Sequence, residues 1–171
     1  MNLAEHIRDI PDFPKEGIIF KDITTLVGHA DAFRASLDQL QARFADTEAS
    51  AVVALEARGY IFGAPLADRM GLRFVPVRKP GKLPADTIQQ DYDLEYGSNT
   101  LEIHRDALSE GEKVLIIDDL IATGGSAAAT VKLVEKLGAQ VVGFGAIIEL
   151  GFLNGRTVLG DINIESLLTF D

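Results

Sequence analysis

Three short runs in this sequence, AVVAL (51–55), KVLIID (113–118) and VVGFGAII (141–148), are apolar almost throughout. None alternates apolar with polar residues, as a strand with one wet face would. Runs of this length bounded by turn residues read as strands buried on both faces, the kind found in parallel sheets covered by helices. The segments between them agree. EARGY (56–60) reads as a turn, IFGAPLADRMG (61–71) as a helix closed by Gly71, and LRFVPV (72–77) as the next strand. After TGGS (123–126), Val131, Val134 and Leu137 recur at spacings of three, and Gly138 is placed to end that helix. Upstream, Phe33, Leu37, Leu40 and Phe44 mark an amphipathic helix over 30–45. A last strand is expected near 164–170.

These elements define an α/β chain: a single domain over 1–171, with a central, mostly parallel sheet flanked by helices. A length of 171 residues suits one domain, and 47% hydrophobic residues make it globular. The lack of cysteine excludes a disulfide scaffold and a thiolate metal site. MNLAEHIRDIPDF lacks the basic start and apolar run of a signal peptide. No apolar stretch approaches the roughly 20 residues needed to cross a bilayer. A soluble, cytoplasmic protein without a membrane partner is the expectation. The net charge of −10 disfavours long nucleic acid as a partner. Residues 79–98 hold Pro80, Gly81, Pro84 and Gly97 with little periodicity, and read as a long, mobile loop.

Ligands of such sheets bind beyond the carboxyl ends of the strands. That rule puts Glu56–Arg58, Arg78–Lys79 and Asp118–Ser126 along one edge. TGGS stands where a helix begins, and the first amides of a helix attract anions. It lacks the lysine of a P-loop and the glycine spacing of a dinucleotide fingerprint. Asp118 and Asp119 directly before it would repel a bare phosphate, so the ligand must carry a second kind of group. A ribose phosphate satisfies both. The amides of Gly124, Gly125 and Ser126, with the Thr123 and Ser126 hydroxyls, suit the 5′-phosphate, while the two carboxylates accept from ribose hydroxyls. If the sugar also carries a pyrophosphate, Mg²⁺ would bridge it and the hydroxyls, helped by nearby acids and with no single protein ligand fixed. Arg58, Arg78, Lys79 and Lys82 would neutralise that pyrophosphate. Arg58 leads this set, because a guanidinium grips two oxygens at once. His6, His29 and His104 are too scattered for a metal site, and His104, next to Ile103 on a strand, is expected to face solvent.

VLIIDDLIATGGS resembles the phosphoribosyl pyrophosphate signature of the type I phosphoribosyltransferases. IPDFPKEGIIFKDIT (10–24), EARGYIFGAPLA (56–67), RKPGKLP (78–84), YDLEYG (92–97) and LEIHRDAL (101–108) resemble the adenine-specific branch of that family. The resemblance implies the fold of that family, a mobile loop over the site, and a base-binding segment at about 1–30. It implies transfer of a 5-phosphoribosyl group to adenine, with Mg²⁺ as cofactor, in a homodimer. By the same resemblance, Glu95 is the candidate acid/base and Arg58 acts on the leaving group. Tyr96 closes the loop. Phe20 stacks on adenine, whose edge is read by backbone groups from Ile18 to Lys21, Ile19 included. Leu120 and Ala122 line the ribose–base side. Two rivals remain: the same donor chemistry with another purine, and a non-catalytic sensor of the donor that regulates transcription. The sensor needs a nucleic-acid module or a basic face, and the length and acidity of this chain disfavour both.

Overall fold

The computed structural model describes residues 1–94 and 96–171. In chain order the elements are β1 (Arg8–Pro11), β2 (Ile19–Asp22), α1 (Thr24–Val27), α2 (Ala30–Arg43), β3 (Ala51–Leu55), α3 (Arg58–Met70), β4 (Arg73–Val77), β5 (Thr87–Asp93), β6 (Ser98–His104), β7 (Lys113–Ile121), α4 (Gly125–Lys136), β8 (Gln140–Leu150) and β9 (Ile164–Phe170). The apolar runs form a parallel sheet in the order β4-β3-β7-β8-β9, as their unbroken hydrophobicity requires. Its two faces carry separate cores. Val52, Leu115 and Ile117 pack with Leu37 and Leu40 of α2 and Phe62 and Leu66 of α3. Val53, Val75 and Ile116 pack with Leu133 and Val134 of α4 and Leu101 and Ile103 of β6.

From β3 the chain first builds outward to β4, then returns to add β7 on the other side. The gap between β3 and β7 is therefore a topological switch point, where open α/β sheets take their ligands. Pairing of β3 with β7 ends at Ala54 and Ile117, yet β7 continues beside β8 to Ile121. The free flank of that extension opens a crevice. Asp118 and Asp119 stand on it.

Helix ends follow the glycines. Gly71 (φ 67°) closes α3, with the Leu72 amide bonding back to the Ala67 carbonyl, and Gly138 (φ 80°) follows α4. Three expectations are corrected. EARGY is only partly a turn, because α3 starts at Arg58 and makes that arginine a first-turn residue. Nothing local announces this start: Ala57 caps it without a side-chain bond, and Gly59 follows. Residues 79–98 are likewise not loop throughout, since Thr87–Asp93 pairs antiparallel with Ser98–His104. The half-buried Ile88, Gln90 and Tyr92 alternate along β5, and the polar Gln90 masks the period of two. Backbone bonds between Arg78 and Glu102 join this hairpin to the end of β4. His104 is half-buried rather than facing solvent, its Nε2 accepting from the Ala85 amide at 3.3 Å. No helix among the described residues is long and apolar enough to cross a membrane.

Candidate active site

A cavity at the switch point is lined by Glu56, Ala57 and Arg58, by Lys79, Tyr92 and Leu101, and by Asp118, Asp119, Leu120, Ala122, Thr123, Gly124 and Ser126. The expected donor residues thus largely converge, although they lie up to 68 positions apart, from 58 to 126. Gly125 opens α4 with Gly124 as its N-cap, and among the described residues no side chain caps the first free amides of that helix. Gly124 adopts φ 83°, a left-handed turn that suits a residue without Cβ.

The two acids are buried, at 9% and 4% exposure. Burial is the main force raising the Asp118 carboxyl above its ordinary pKa, and the charge of Asp119 adds to it. Burial also raises Asp119, with Arg58 opposing. Asp118 Oδ1 accepts from the Asp119 amide at 2.8 Å. Asp119 Oδ2 lies 3.0 Å from Arg58 Nε but off the N–H direction, so this buried oxygen has an ionic neighbour and no hydrogen bond. Buried acceptors of this kind are costly unless a donor or cation reaches them. Gly59 makes their packing possible, since a Cβ there would sit 3.0 Å from Asp118 Oδ1 and from the Ile117 carbonyl oxygen.

The cations divide. Arg58 and Lys79 face the cavity. Arg78 instead donates from Nε (3.0 Å) and Nη2 (2.8 Å) to Glu56 Oε2, so its charge is matched within the protein. Glu56 also accepts from the Lys79 amide at 2.5 Å. Burial pushes its carboxyl up, but that amide and Arg78 outweigh burial and hold it below the usual range. Arg78 therefore braces the strand ends through Glu56, and Lys82, exposed, offers it only a carbonyl at 3.4 Å.

On the base side, the Phe20 ring centroid lies 5.4 Å from the Arg58 guanidinium carbon, which brings the aromatic ring to the donor cavity. Ile19 and Lys21, its neighbours on β2, line a second, mostly apolar cavity with Thr123, Leu150, Phe152 and Phe170. Lys21 pairs with Asp9 at 2.7 Å. Tyr96 is exposed, with Lys15 Nζ 5.6 Å from its ring. Glu95 lies outside the described residues. Two contributors had no role in the sequence reading: Glu56, which orders Arg78 and Lys79, and Tyr92, which turns inward from β5 so that a Cβ on Gly125 would lie 3.2 Å from its ring. A tyrosine at an alternating position was the one available sign.

The family described as the phosphoribosyl transferase domain matches residues 24–156. An adenine phosphoribosyltransferase of Solidesulfovibrio magneticus is 60% identical over 168 residues, covering 98% of each chain. One from Alkaliphilus metalliredigens is 54% identical over 99% of this chain and 100% of its own. Among solved structures, the adenine phosphoribosyltransferase of Thermoanaerobacter pseudethanolicus superposes with a TM-score of 0.96 at 52% identity, covering 98% of both chains. The Saccharomyces cerevisiae enzyme, complexed with an imino-altritol bisphosphate and adenine, superposes at 0.91 with 40% identity, covering 97% of this chain and 96% of that one. The chain belongs to the type I phosphoribosyltransferase family, among the adenine phosphoribosyltransferases.

Proposed function

We propose that the chain transfers the 5-phosphoribosyl group of 5-phosphoribosyl-1-pyrophosphate to adenine, giving AMP and pyrophosphate. The observation that carries this reading is the meeting of a helix-start anion loop, two buried acids and Arg58 at one switch point. The loop amides and the Thr123 and Ser126 hydroxyls hold the 5′-phosphate. Asp118 and Asp119 accept from the ribose hydroxyls, which relieves the buried and unbonded Asp119 oxygen. The bond from the anomeric carbon to the pyrophosphate oxygen breaks, and a bond from adenine N9 to that carbon forms. Positive charge grows on the ribose and negative charge on the leaving group, while the N9 proton departs. Catalysis then consists of placing fixed charges opposite those growing ones. Arg58 and Lys79 act on the pyrophosphate, and Arg78 acts through Glu56.

Among the described residues no group of three or more His, Asp or Glu side chains forms a metal cage. A Mg²⁺ ion entering with the donor would be held by the buried carboxylates of Asp118 and Asp119, one of whose oxygens has no hydrogen bond. Bound there, the ion would supply charge neutralisation for the leaving pyrophosphate.

On the base side, Phe20 stacks on adenine and backbone groups at Ile19 and Lys21 read its edge, with Leu120 and Ala122 below. Glu95, by resemblance, moves the proton, and Tyr96 closes a mobile loop over the bound substrates. We assign the chain to the cytoplasm, as a homodimer without membrane or nucleic-acid partners. The test is incubation with Mg²⁺ and the phosphoribosyl donor plus adenine, hypoxanthine, guanine or xanthine, with nucleotides measured by mass spectrometry. AMP from the adenine tube alone is expected. Product from another base would overturn the base assignment, and no product with intact donor binding would favour a sensor.

A further inference from the structure

The turn that follows β8 has no place in the chemistry above, yet it lies against the anion loop. Gly151–Leu153 and Gly155–Leu159 form two short 3-10 turns joined through Asn154, which is left-handed at φ 53°. The Asn154 carbonyl accepts from the Thr157 amide at 3.1 Å and the Thr157 hydroxyl at 2.8 Å. A Cβ on Gly155 would overlap the Ala122 carbonyl oxygen and lie 2.9 Å from the Gly124 amide nitrogen. A Cβ on Gly124 would overlap the Gly155 carbonyl oxygen and Val158 Cγ2. The two glycines therefore let one backbone rest directly on the other. Only two residues without side chains allow that approach.

An ion pair fixes the turn. Glu149 is buried near the end of β8, opposite Ile121 at the end of β7. Its carboxylate accepts from Arg156 Nε at 2.9 Å, Arg156 Nη2 at 2.6 Å and Ser166 Oγ at 2.7 Å. Arg156 Nη1 donates to the Ile164 carbonyl at 3.1 Å. This fork fixes the direction as well as the distance of the arginine, in a way a lysine would not. The pair thus ties the residue next to Gly155 to strands β8 and β9, while Gly155 itself bears on Ala122 and Gly124.

We propose that Gly155 and Arg156 are positioning residues for the donor, setting the height of the Ala122–Gly124 backbone and so of the amides that meet the 5′-phosphate. The inference rests on the assignment of that loop to the phosphate. Small displacements of such a cradle are expensive, since a misplacement of about 1 Å can cost on the order of a hundredfold in rate. A purely structural turn would instead lower stability and leave the two substrates equally affected.

The test compares Gly155→Ala, Arg156→Lys and Arg156→Met with Thr123→Val, which removes a loop hydroxyl directly. Ribose 5-phosphate binding is measured by calorimetry, KM for each substrate by steady-state kinetics, and folding by thermal melts. Gly155→Ala is expected to weaken ribose 5-phosphate and raise the donor KM by about tenfold or more, with the adenine KM within about twofold. Arg156→Lys should fall between wild type and Arg156→Met. A folded Gly155→Ala with wild-type phosphate affinity, beside a weakened Thr123→Val, would overturn the proposal alone. Equal losses for both substrates with a lower melting point would also overturn it. If Thr123→Val binds ribose 5-phosphate normally, the phosphate assignment fails and this proposal falls with it. If Gly155→Ala does not fold, the arginine pair decides: a graded phosphate loss supports the proposal, and a flat one overturns it.

Discussion

The half of the site proposed for the donor stands on the central sheet, whereas the half proposed for the base stands on β2, in a hairpin at the rim. Asp118 and Asp119 are buried on β7, Gly124 is packed too closely for a side chain, and Gly59 has little room for one. By contrast β1 and β2 pair only with each other, β5 and β6 bond to the sheet only through the Arg78–Glu102 bridge, and Ile19 and Tyr96 are 56% and 81% exposed. The difference follows from what each half must do. Stabilising growing charge needs fixed dipoles away from water, which a packed sheet edge supplies. Admitting a flat, neutral base needs surfaces that can be approached from solvent. One half is made stiff at a cost in buried charge. The other is held by ion pairs with one largely buried and one exposed partner, such as Arg8–Asp22 (2.6 Å) and Lys21–Asp9 (2.7 Å).

Replacing both Asp118 and Asp119 with Asn should break the contrast most sharply. Two charge-assisted bonds to ribose hydroxyls would be lost, so the donor KM should rise about 100-fold. The melting temperature should nevertheless rise, because two like charges leave a buried site. A fall in melting temperature with an unchanged donor KM would mean that the pair is structural. Next in size, Glu95→Gln should keep the fold and AMP affinity but lower kcat by about 100-fold, the usual span of a proton-transfer residue. An unchanged kcat removes it from the mechanism. On the base side, Phe20→Ala should raise the adenine KM by roughly tenfold through lost stacking and leave donor binding alone. Equal effects on both substrates would show that the halves are not separable.

The smallest effect separates the halves by pH. Burial raises the Asp118 and Asp119 carboxyls, so the folded state holds their protons more tightly than the unfolded chain. Their contribution to stability is complete below the ordinary value of 3.8 and is lost as pH rises through the raised values. Asp22 behaves in the opposite way. The Thr24 amide, then Arg8 and the Thr24 hydroxyl, lower it from 3.8 to about 2, so its stabilisation is present above 3.8 and fades as pH falls towards 2. Asp22→Asn should therefore lower the melting temperature at about pH 7 and hardly at all at about pH 2, while Asp118→Asn raises it at about pH 7. Melting curves of both variants across pH would show the two trends crossing, or fail to.

Local chemistry determined much of this by itself. Unbroken apolar runs are not compatible with a wet sheet face, so the parallel sheet was legible, as were the helix ends at Gly71 and Gly138. The acid pair followed by TGGS was also legible, because its opposed charges admit few ligands. Partners far apart in sequence were decided only in three dimensions. Arg78 reads as a free cation until β3 and β4 pair and bring Glu56, 22 positions away, against it. Arg58 reads as part of a turn until α3 packs under β7. Gly155 lies in a stretch without a legible motif, and its part appears only where its backbone meets Gly124. Sequence periodicity reports which face of an element is buried, but it carries no term for what waits on the other side. That information arises only when the strands take their register.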